Sequence, residues 1–302
     1  MSTFINPFTD FGFKRIFGQE DSKDILIGFL NALFEKELIV RDLIYRDKEQ
    51  LGETANNRSL IYDIHCTEKN GKEFIVEMQN ESQVHFQDRA LYYASKAIVG
   101  QAKKGPNWQY SLKPVIGIYF MHFKKKQLKD RFRSDFCLRE MTTGKSLCNK
   151  LRLVFLQMTC FDKTQDQCTT DLDKWAYIMN HMETLEHIPW KAQNELFEKL
   201  EEMSKIAAMT EEQQAQYEAY LKQYRDNLAI QTDAERRGER RGKKIGEKIG
   251  EKIGERRGKK IGERKGEKNE KIRTARTMLI KGMDKTTISE VTGLSIQVIE
   301  NL

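Results

Sequence analysis

Hydrophobic and polar residues recur with two different periodicities along the first 120 positions of the chain. Spacings of three and four residues, as from Ile25 to Leu33 behind Ser22, are typical of an amphipathic helix with a capping residue. Alternation, or a short continuous apolar run, is typical of a strand. The predicted elements run in the order α-β-β-β-α-β, at about residues 22–35, 37–45, 60–66, 73–79, 83–101 and 115–120.

Later segments add to this α/β core. Residues 132–140 and 151–159 flank Thr143-Gly144 and predict an added pair of strands. Residues 173–229 carry apolar side chains at helical intervals, and such helices commonly cover a core. The basic Gly-Pro segment at residues 103–106 is predicted to end the preceding helix.

Glycine occupies every fourth position from Gly238 to Gly266, between charged triplets. A four-residue step overshoots one helical turn by about 40°, so these glycines would spiral around a helix instead of lining one seam. Each one costs roughly 0.5–1 kcal/mol of helix stability. We predict a marginal, solvated helix or a flexible arm. It would serve either as an electrostatic arm on a phosphate backbone or as a charged linker.

Positive charge is concentrated in this repeat. The 302 residues carry a formal net charge of +7, yet residues 235–273 alone hold 17 Lys or Arg and 8 Glu, and all other residues sum to −2. This distribution excludes a folded body that is one broad basic surface for nucleic acid. Any nucleic-acid site on the folded body would therefore be a local one.

The cysteines and the lengths of the apolar runs indicate the cellular compartment of the protein. Five cysteines with no Cys-x-x-Cys pair predict reduced, mostly buried thiols instead of a structural zinc site. No run approaches the roughly 18 apolar residues that span a bilayer, and the first eleven residues lack the features of a signal peptide. We therefore expect a cytoplasmic protein that contacts no membrane.

The length of the turn between the second and third predicted strands decides which side chains share a face. A two-residue Asn70-Gly71 turn would put Asp63 and Glu77 on opposite faces. A three-residue loop over residues 69–71, with Gly71 left-handed, puts Asp63 opposite Glu77. That register places Ile61, Asp63, His65, Ile75, Glu77 and Gln79 on one face, and Tyr62, Ile64, Phe74, Val76 and Met78 on the other.

Two carboxylates directly across a strand pair repel each other and destabilise the sheet. A divalent cation removes that cost, and carboxylate oxygens with water suit Mg²⁺ or Mn²⁺. Such a metal can polarise a phosphoryl oxygen and generate hydroxide for attack, which is the chemistry of phosphodiester hydrolysis. The alternative is that Asp63 and Glu77 occupy a solvated sheet face without a metal.

Asp63, followed by Glu77-Met78-Gln79 after a hairpin and by a helix with Arg89 and Tyr93, resembles the PD-(D/E)XK nuclease superfamily. The chain is more closely similar to the Rpn family of recombination-promoting nucleases, also described as transposases of the PD-(D/E)XK family. The similarity covers nearly the whole chain and includes Asn-Pro-Phe-Thr-Asp-Phe-Gly-Phe-Lys at residues 6–14, Leu30-Asn31, Phe86 and the glycine repeat. It implies a restriction-endonuclease-like core with a mixed central sheet. The implied activity is metal-dependent cleavage of DNA linked to recombination or transposition.

The resemblance also implies roles for the residues of the hairpin. Asp63 and Glu77 would ligate the metal, with the Met78 carbonyl as a candidate third ligand, and Gln79 would belong to the catalytic set. Gln79 stands where the superfamily name has lysine, and a glutamine can orient a reacting group but cannot neutralise its charge. Rpn-like proteins share this glutamine, so water activation would rest mainly on the metal.

Substrate binding is implied for Arg89, Tyr93 and Lys14. Arg89 lies near the start of the helix beside the site, where its guanidinium could hold a phosphate oxygen. Its alternative role is a salt bridge to Glu77 or Glu81, and Tyr93, one turn on, would support either role.

Three further side chains have ordinary structural alternatives. Lys14 and Asp10 match the opening of the family, but lysine is a common surface residue and aspartate a common helix cap. His65 shares the carboxylate face, and a histidine in such a place more often packs and finds a hydrogen-bond partner.

The last thirty residues resemble a helix-turn-helix, with Thr287-x-x-Glu290 as a capping box and Ser295 as a second cap. The second helix, at residues 296–302, contains neither Arg nor Lys. That composition favours a small packing or dimerisation unit over a reader of DNA sequence, and with it a homo-oligomer formed through the C-terminal helices.

These observations predict four segments and two classes of function. The segments are a nuclease core with added strands (1–165), a helical extension (166–234), a glycine-repeat linker or helix (235–273) and a helix-turn-helix-like unit (274–302). The leading hypothesis is a Mg²⁺-dependent DNA endonuclease. The alternative is a noncatalytic DNA-associating or regulatory protein that retains the nuclease fold, and RNA cleavage by the same chemistry stays open.

Overall fold

The computed structural model describes residues 2–35, 37–46, 49–50, 60–81, 83–103 and 108–302, so the predicted helix stop at 103–106 lies mostly outside the described residues. The strands are β1 Ile44–Tyr45, β2 Glu49–Gln50, β3 Leu60–Ile61, β4 Ile64–Thr67, β5 Glu73–Gln79, β6 Val115–Met121, β7 Arg133–Cys137 and β8 Leu151–Gln157. The α-helices are α1 Asp10–Phe17, α2 Lys23–Phe34, α3 Phe86–Gly100, α4 Asp171–His181, α5 Glu195–Ser204, α6 Glu211–Ile280, α7 Lys285–Thr292 and α8 Ile296–Glu300.

Six strands form one mixed sheet in the order β1-β4-β5-β6-β8-β7. The neighbours β5, β6 and β8 are parallel, and the remaining pairs are antiparallel. β6 is buried along its whole length, as expected for a central parallel strand. The added strands β7 and β8 extend this sheet. The carboxyl ends of β5, β6 and β8 consequently lie along one edge, which we call the carboxyl edge.

The hairpin between β4 and β5 has the register that a three-residue loop predicts. His65 lies opposite Ile75 and Ile64 opposite Val76, and Gly71 has a φ of 87°. Continued to the end of the hairpin, this register places position 63 beside position 77. The odd-length loop with a left-handed glycine is therefore confirmed.

The strand predicted at residues 60–66 is interrupted. β3 pairs with β2 in a separate two-stranded sheet, and β4 begins only at Ile64. Tyr62 was expected beside Ile64 but lies on the other face, where it packs with Ile75 and Tyr93. The reason is that the chain changes direction at Asp63, whose side chain replaces a main-chain hydrogen bond of the sheet.

Helices cover both faces of the sheet. One apolar cluster joins α1, α2, α4 and α5 to residues such as Ile64, Val76 and Phe120. The second cluster joins Phe86 and the alanines of α3 to Tyr119 and other sheet residues. The predicted mixed α/β core is thus a three-layer arrangement, and its carboxyl edge lies between the helical layers.

The strand predicted at residues 37–45 is much shorter, because a side chain takes the place of its partner strand. The Asn31 side chain accepts a hydrogen bond from the Val40 N–H (2.7 Å) and donates one to the Val40 carbonyl (2.9 Å). Of the segment predicted as a strand, only its last two residues, Ile44–Tyr45 (β1), then pair with β4. Asn31 thereby has a structural role in joining α2 to the segment that leads into the sheet.

The opening segment, residues 6–14, builds the start of α1. Thr9 is the N-cap, since its hydroxyl accepts from the Gly12 N–H (3.0 Å), so the capping role considered for Asp10 belongs to Thr9. The Asn6 side chain accepts from the Phe8 N–H (2.8 Å), and the Asn6 N–H donates to the hydroxyl of Tyr217 on α6 (2.8 Å). These bonds fix the direction in which α1 leaves the segment.

Gly12→Ala is expected to destabilise the protein by about 1–3 kcal/mol, because the new Cβ would overlap the carbonyl oxygen of Asn6 and contact the Thr9 hydroxyl. Urea unfolding measures this effect. The control is Gly250→Ala in the repeat, where a Cβ meets open space and should stabilise the helix by roughly 0.5–1 kcal/mol. Equal effects of the two substitutions would contradict this account of the opening segment.

The chain divides into two units, Met1–Ile230 and Gln231–Leu302. Within the second, the glycine repeat is helical and exposed, and a small cluster of Ala275, Ile288 and Ile299 is buried at its end. The capping box predicted at Thr287 is not formed as such, because α7 begins earlier and Asp284 accepts from the Thr287 N–H (2.9 Å). Ser295 does precede α8 but makes no side-chain capping bond. The segment boundaries at 165, 234 and 273 stay predictions.

All five cysteines are free thiols. Only Cys66 and Cys168 are buried, so the expectation of mostly buried thiols was wrong for the majority. Of the exposed and half-buried ones, Cys137 lies on β7, Cys148 in the loop between β7 and β8, and Cys160 at the end of a short 3-10 helix, Met158–Cys160. In the part of the chain that the structure describes, no helix combines the length and the apolar character of a membrane span.

Candidate active site

Asp63 and Glu77 lie side by side where the pairing of β4 with β5 ends. The Asp63 N–H donates to Glu77 Oε1 (3.1 Å), and the Met78 N–H donates to Asp63 Oδ2 (2.9 Å). The Asp63 carboxylate thus occupies the position of the next main-chain acceptor of the ladder. These reciprocal bonds hold the two carboxylates together near the carboxyl end of β5.

Burial makes ionisation of this pair costly. The side chain of Glu77 is 1% exposed, and the loss of solvation together with the charge of Asp63 raises the pKa of Glu77 to about 8. Burial also raises the pKa of Asp63, although the Met78 hydrogen bond and the charge of Lys14 oppose that change. The pair therefore carries an unfavourable negative charge when both groups are ionised.

Met78 and Gln79 complete the end of β5. Because the N–H and C=O groups of one strand residue point to the same side, the Met78 carbonyl lies on the side of the strand where its N–H meets Asp63. Gln79 follows Glu77 by two positions, so its side chain projects from the same face. The Gln79 carbonyl accepts from the His122 N–H (2.9 Å), which ties this end of β5 to the end of β6.

Arg89 approaches the carboxylates from the first turn of α3. Its Nη2 atom lies 3.9 Å from Glu77 Oε2, at the outer limit of an ion pair, and no ion pair to Glu81 occurs among the described residues. The guanidinium lies over the Tyr93 ring at 4.9 Å from its centroid, and Nη1 is 3.5 Å from the side-chain oxygen of Gln83. Arg89 is one-third exposed, so it reaches both the buried Glu77 and the solvent.

Lys14 and Asp10 reach the site from the start of α1. They form an ion pair of 2.7 Å. Burial alone would lower the pKa of Lys14, but the hydrogen bond to Asp10 and the charges of Asp10 and Asp63 raise it above its usual value. Asp10 in turn raises the pKa of Asp63. One feature of the sequence hints at a place for Asp10 near the site, namely its position in the opening segment at residues 6–14.

His65 is turned away from this chemistry. Its Nε2 atom lies 2.9 Å from Glu73 Oε2, and Gln101 Nε2 donates to Glu73 Oε1 (2.9 Å). The ring is buried, and it lies 5.0 Å from the Tyr62 ring. The packing role considered for His65 agrees with these contacts.

The donor set of the carboxylate pair fits a hard divalent cation. Two adjacent carboxylates and a nearby main-chain carbonyl offer only oxygen ligands, and the charges of Arg89, 3.9 Å from Glu77, and of Lys14 offset the charge of the pair only in part. Over the residues whose placement is described, no group of three or more His, Cys, Asp or Glu side chains is arranged to hold a metal. A cation here would therefore need main-chain or water ligands as well as Asp63 and Glu77.

Comparison with known proteins gives two family matches. Residues 7–234 match the PD-(D/E)XK nuclease family transposases, and residues 268–302 match the C-terminal HTH domain of the Rpn/YhgA-like nuclease family. The second match supports DNA binding by the end of the chain, where composition had favoured a packing unit; assembly through these helices stays a prediction. Neither the curated proteins nor the solved structures compared with the chain gave a match. Because the first match spans most of the 302 residues, the chain belongs to the PD-(D/E)XK nuclease family transposases of the Rpn type.

Proposed function

We propose that the protein is a metal-dependent DNA endonuclease that acts in recombination or transposition, with Asp63, Glu77 and the Met78 carbonyl as ligands of Mg²⁺ or Mn²⁺. The observation that carries this proposal is the buried pair of carboxylates, held together by reciprocal hydrogen bonds at the carboxyl edge. The membership in a nuclease family supports it independently. A cytoplasmic location belongs to the same proposal.

The cost of the buried pair supports a cation at this place. A sheet that needed only packing would be more stable with an uncharged pair, because burial raises the pKa of both acids. When bound, a divalent cation lowers the pKa of a coordinated water and polarises a phosphoryl oxygen.

The other side chains would orient the substrate. Arg89, stacked on Tyr93, would present its exposed edge to a phosphate oxygen while its other edge faces Glu77. Gln79 would orient the attacking water by hydrogen bonding, since it has no charge to give. Lys14 would place a positive charge beside Asp63 and the scissile phosphate, at a distance set by its ion pair with Asp10.

The proposal is tested by parallel digestion of supercoiled plasmid, single-stranded DNA and transfer RNA, with Mg²⁺ and with EDTA. We expect nicking of plasmid that requires Mg²⁺. Cleavage of RNA alone would retain the chemistry and change the substrate. Absence of cleavage of all three would favour the second candidate.

That second candidate is a noncatalytic DNA-associating or regulatory protein. The C-terminal HTH match and the 17 basic residues of positions 235–273 favour it, because both could supply DNA binding without any cleavage. It predicts that substitution of Asp63 or Glu77 leaves DNA binding and biological function intact, and that deletion of 235–273 removes both.

A further inference from the structure

A second basic segment follows β6 in the first unit of the chain. Residues 124–131, which we call the basic loop, contain five Lys or Arg and one Asp. This loop and the glycine repeat account for more than the whole net charge, because the other residues sum to −6. Lys126, Lys129 and Arg131 are exposed and form no ion pair with any residue that the structure describes. Lys124 pairs with Asp130 (3.1 Å) on the surface.

The backbone of the basic loop is held by one buried side chain. Gln157, at the end of β8, is 1% exposed. Its Oε1 atom accepts from the Lys125 N–H (2.7 Å), and its Nε2 atom donates to the carbonyls of Lys129 (2.9 Å) and Arg131 (2.8 Å). A charged surface loop that only keeps a protein soluble does not need such a support. The loop presents its side chains from an ordered frame.

Lys129 has a backbone conformation that suits glycine. Its φ is 54° and its ψ is −161°, a region of backbone conformation that residues with a Cβ rarely occupy. Glycine would adopt this conformation without strain. The chain therefore accepts strain at this position and presents an exposed lysine there, which indicates a use for the side chain beyond folding.

The basic loop lies at the same edge of the sheet as the carboxylate pair, the carboxyl edge. Its first residue is only three positions after Met121, which pairs with Gln79 across β5 and β6. A line of contacts then leads back to the site, since Lys125 Nζ donates to the Gln83 carbonyl (2.7 Å), and the side chain of Gln83 contacts Arg89. The loop and Arg89 thus form one positive margin along the carboxyl edge.

We propose that the basic loop binds the phosphate backbone of duplex DNA and positions it across the carboxyl edge, over Asp63 and Glu77. The positioning role depends on the proposed nuclease function, whereas the binding of DNA by the loop does not. Lys126, Lys129 and Arg131 supply the contacts. Such contacts carry no sequence information and set the register of the duplex on the protein.

The test measures binding without cleavage. The full-length protein is titrated with fluorescent duplex DNA in EDTA, at several salt concentrations between about 50 and 200 mM. The variant Lys126→Gln, Lys129→Gln, Arg131→Gln should bind more weakly, and its slope of log affinity against log salt should be shallower by about 2–3, or roughly 0.9 for each lost phosphate contact. Plasmid nicking plays no part in this measurement, so failure of the nuclease proposal would be seen separately.

A matched control has the same loss of charge at the opposite edge of the sheet. Lys113 and Lys150 precede β6 and β8, Lys145 lies in the turn between β7 and β8, and none of the three has an ion-pair partner among the described residues. Lys113→Gln, Lys145→Gln, Lys150→Gln should leave the slope unchanged. A wild-type slope in the loop variant, or an equal change in both variants, would overturn the proposal, as would a loss seen with duplex RNA but not with DNA.

A single substitution separates charge from folding. Lys129→Gly removes the charge and relieves the strain of the positive φ, so this variant should melt at or above the wild-type temperature. Its slope of log affinity against log salt should be shallower by about 0.9, the value for one phosphate contact. Wild-type affinity and slope in this variant would overturn the role of Lys129. The same substitution in the control position, Lys145→Gly, should leave DNA binding as it is.

Discussion

Asp63→Asn and Glu77→Gln are each expected to reduce Mg²⁺-dependent nicking of plasmid by about 10³-fold or more, because metal ligation contributes several kcal/mol to the transition state. The amides keep an oxygen that can accept from the Met78 N–H and the Asp63 N–H, so the hydrogen bonds of the site survive. The melting temperature in EDTA should not fall. Gel analysis of supercoiled and nicked plasmid over time measures the activity.

Glu73→Gln is the matched control for this experiment. Glu73 lies on the same strand and face as Glu77, but its carboxylate contacts His65 and Gln101 instead of Asp63. Its substitution should leave the nicking rate within a few-fold of wild type. Full activity in Asp63→Asn or Glu77→Gln would remove the carboxylate pair from the mechanism.

The second large effect is a loss of stability with rising pH in the absence of divalent metal. The pKa of Glu77 is raised to about 8 in the folded protein, from an ordinary 4.5, so the folded state binds its proton more tightly than the unfolded state. The stability that this proton contributes is fully present below about pH 4.5 and is lost as the pH rises through about 8. The loss should amount to a few kcal/mol, since one pKa unit corresponds to about 1.4 kcal/mol.

Urea unfolding between these pH values, in EDTA, measures the effect against Glu77→Gln. The difference in the free energy of unfolding between the variant and the wild type should grow in favour of the variant as the pH rises, because the amide cannot ionise. Added Mg²⁺ should reduce the decline in the wild type and not in the variant. A difference that is independent of pH would show that Glu77 ionises normally.

The carboxylate pair could be predicted from sequence because it depends on local rules. Alternation of side chains and the length of the Lys69-Asn70-Gly71 loop fix the register of β4 and β5, and that register sets Asp63 beside Glu77. The position of Arg89 at the start of α3 follows from the same short-range pattern. These features involve residues within about thirty positions of one another.

The features of the fold and the site that could not be predicted depend on contacts that no local sequence pattern encodes. The break at Asp63 and the reversal of Tyr62 arise because a side chain replaces a main-chain acceptor of the sheet. The approach of Asp10 and Lys14 depends on the opening segment, where Asn6 bonds to Tyr217, 211 positions away. The support of the basic loop by Gln157 likewise joins the ends of two strands. Such long-range polar contacts have no periodicity to detect.

Calorimetric titration of the full-length protein with Mg²⁺ at neutral pH would decide whether Asp63 and Glu77 hold one ion between them. We expect one binding event for the wild type that is lost in Asp63→Asn and lost equally in Glu77→Gln, while Glu73→Gln binds as the wild type does. Undiminished Mg²⁺ affinity in either of the first two variants would contradict a shared metal site.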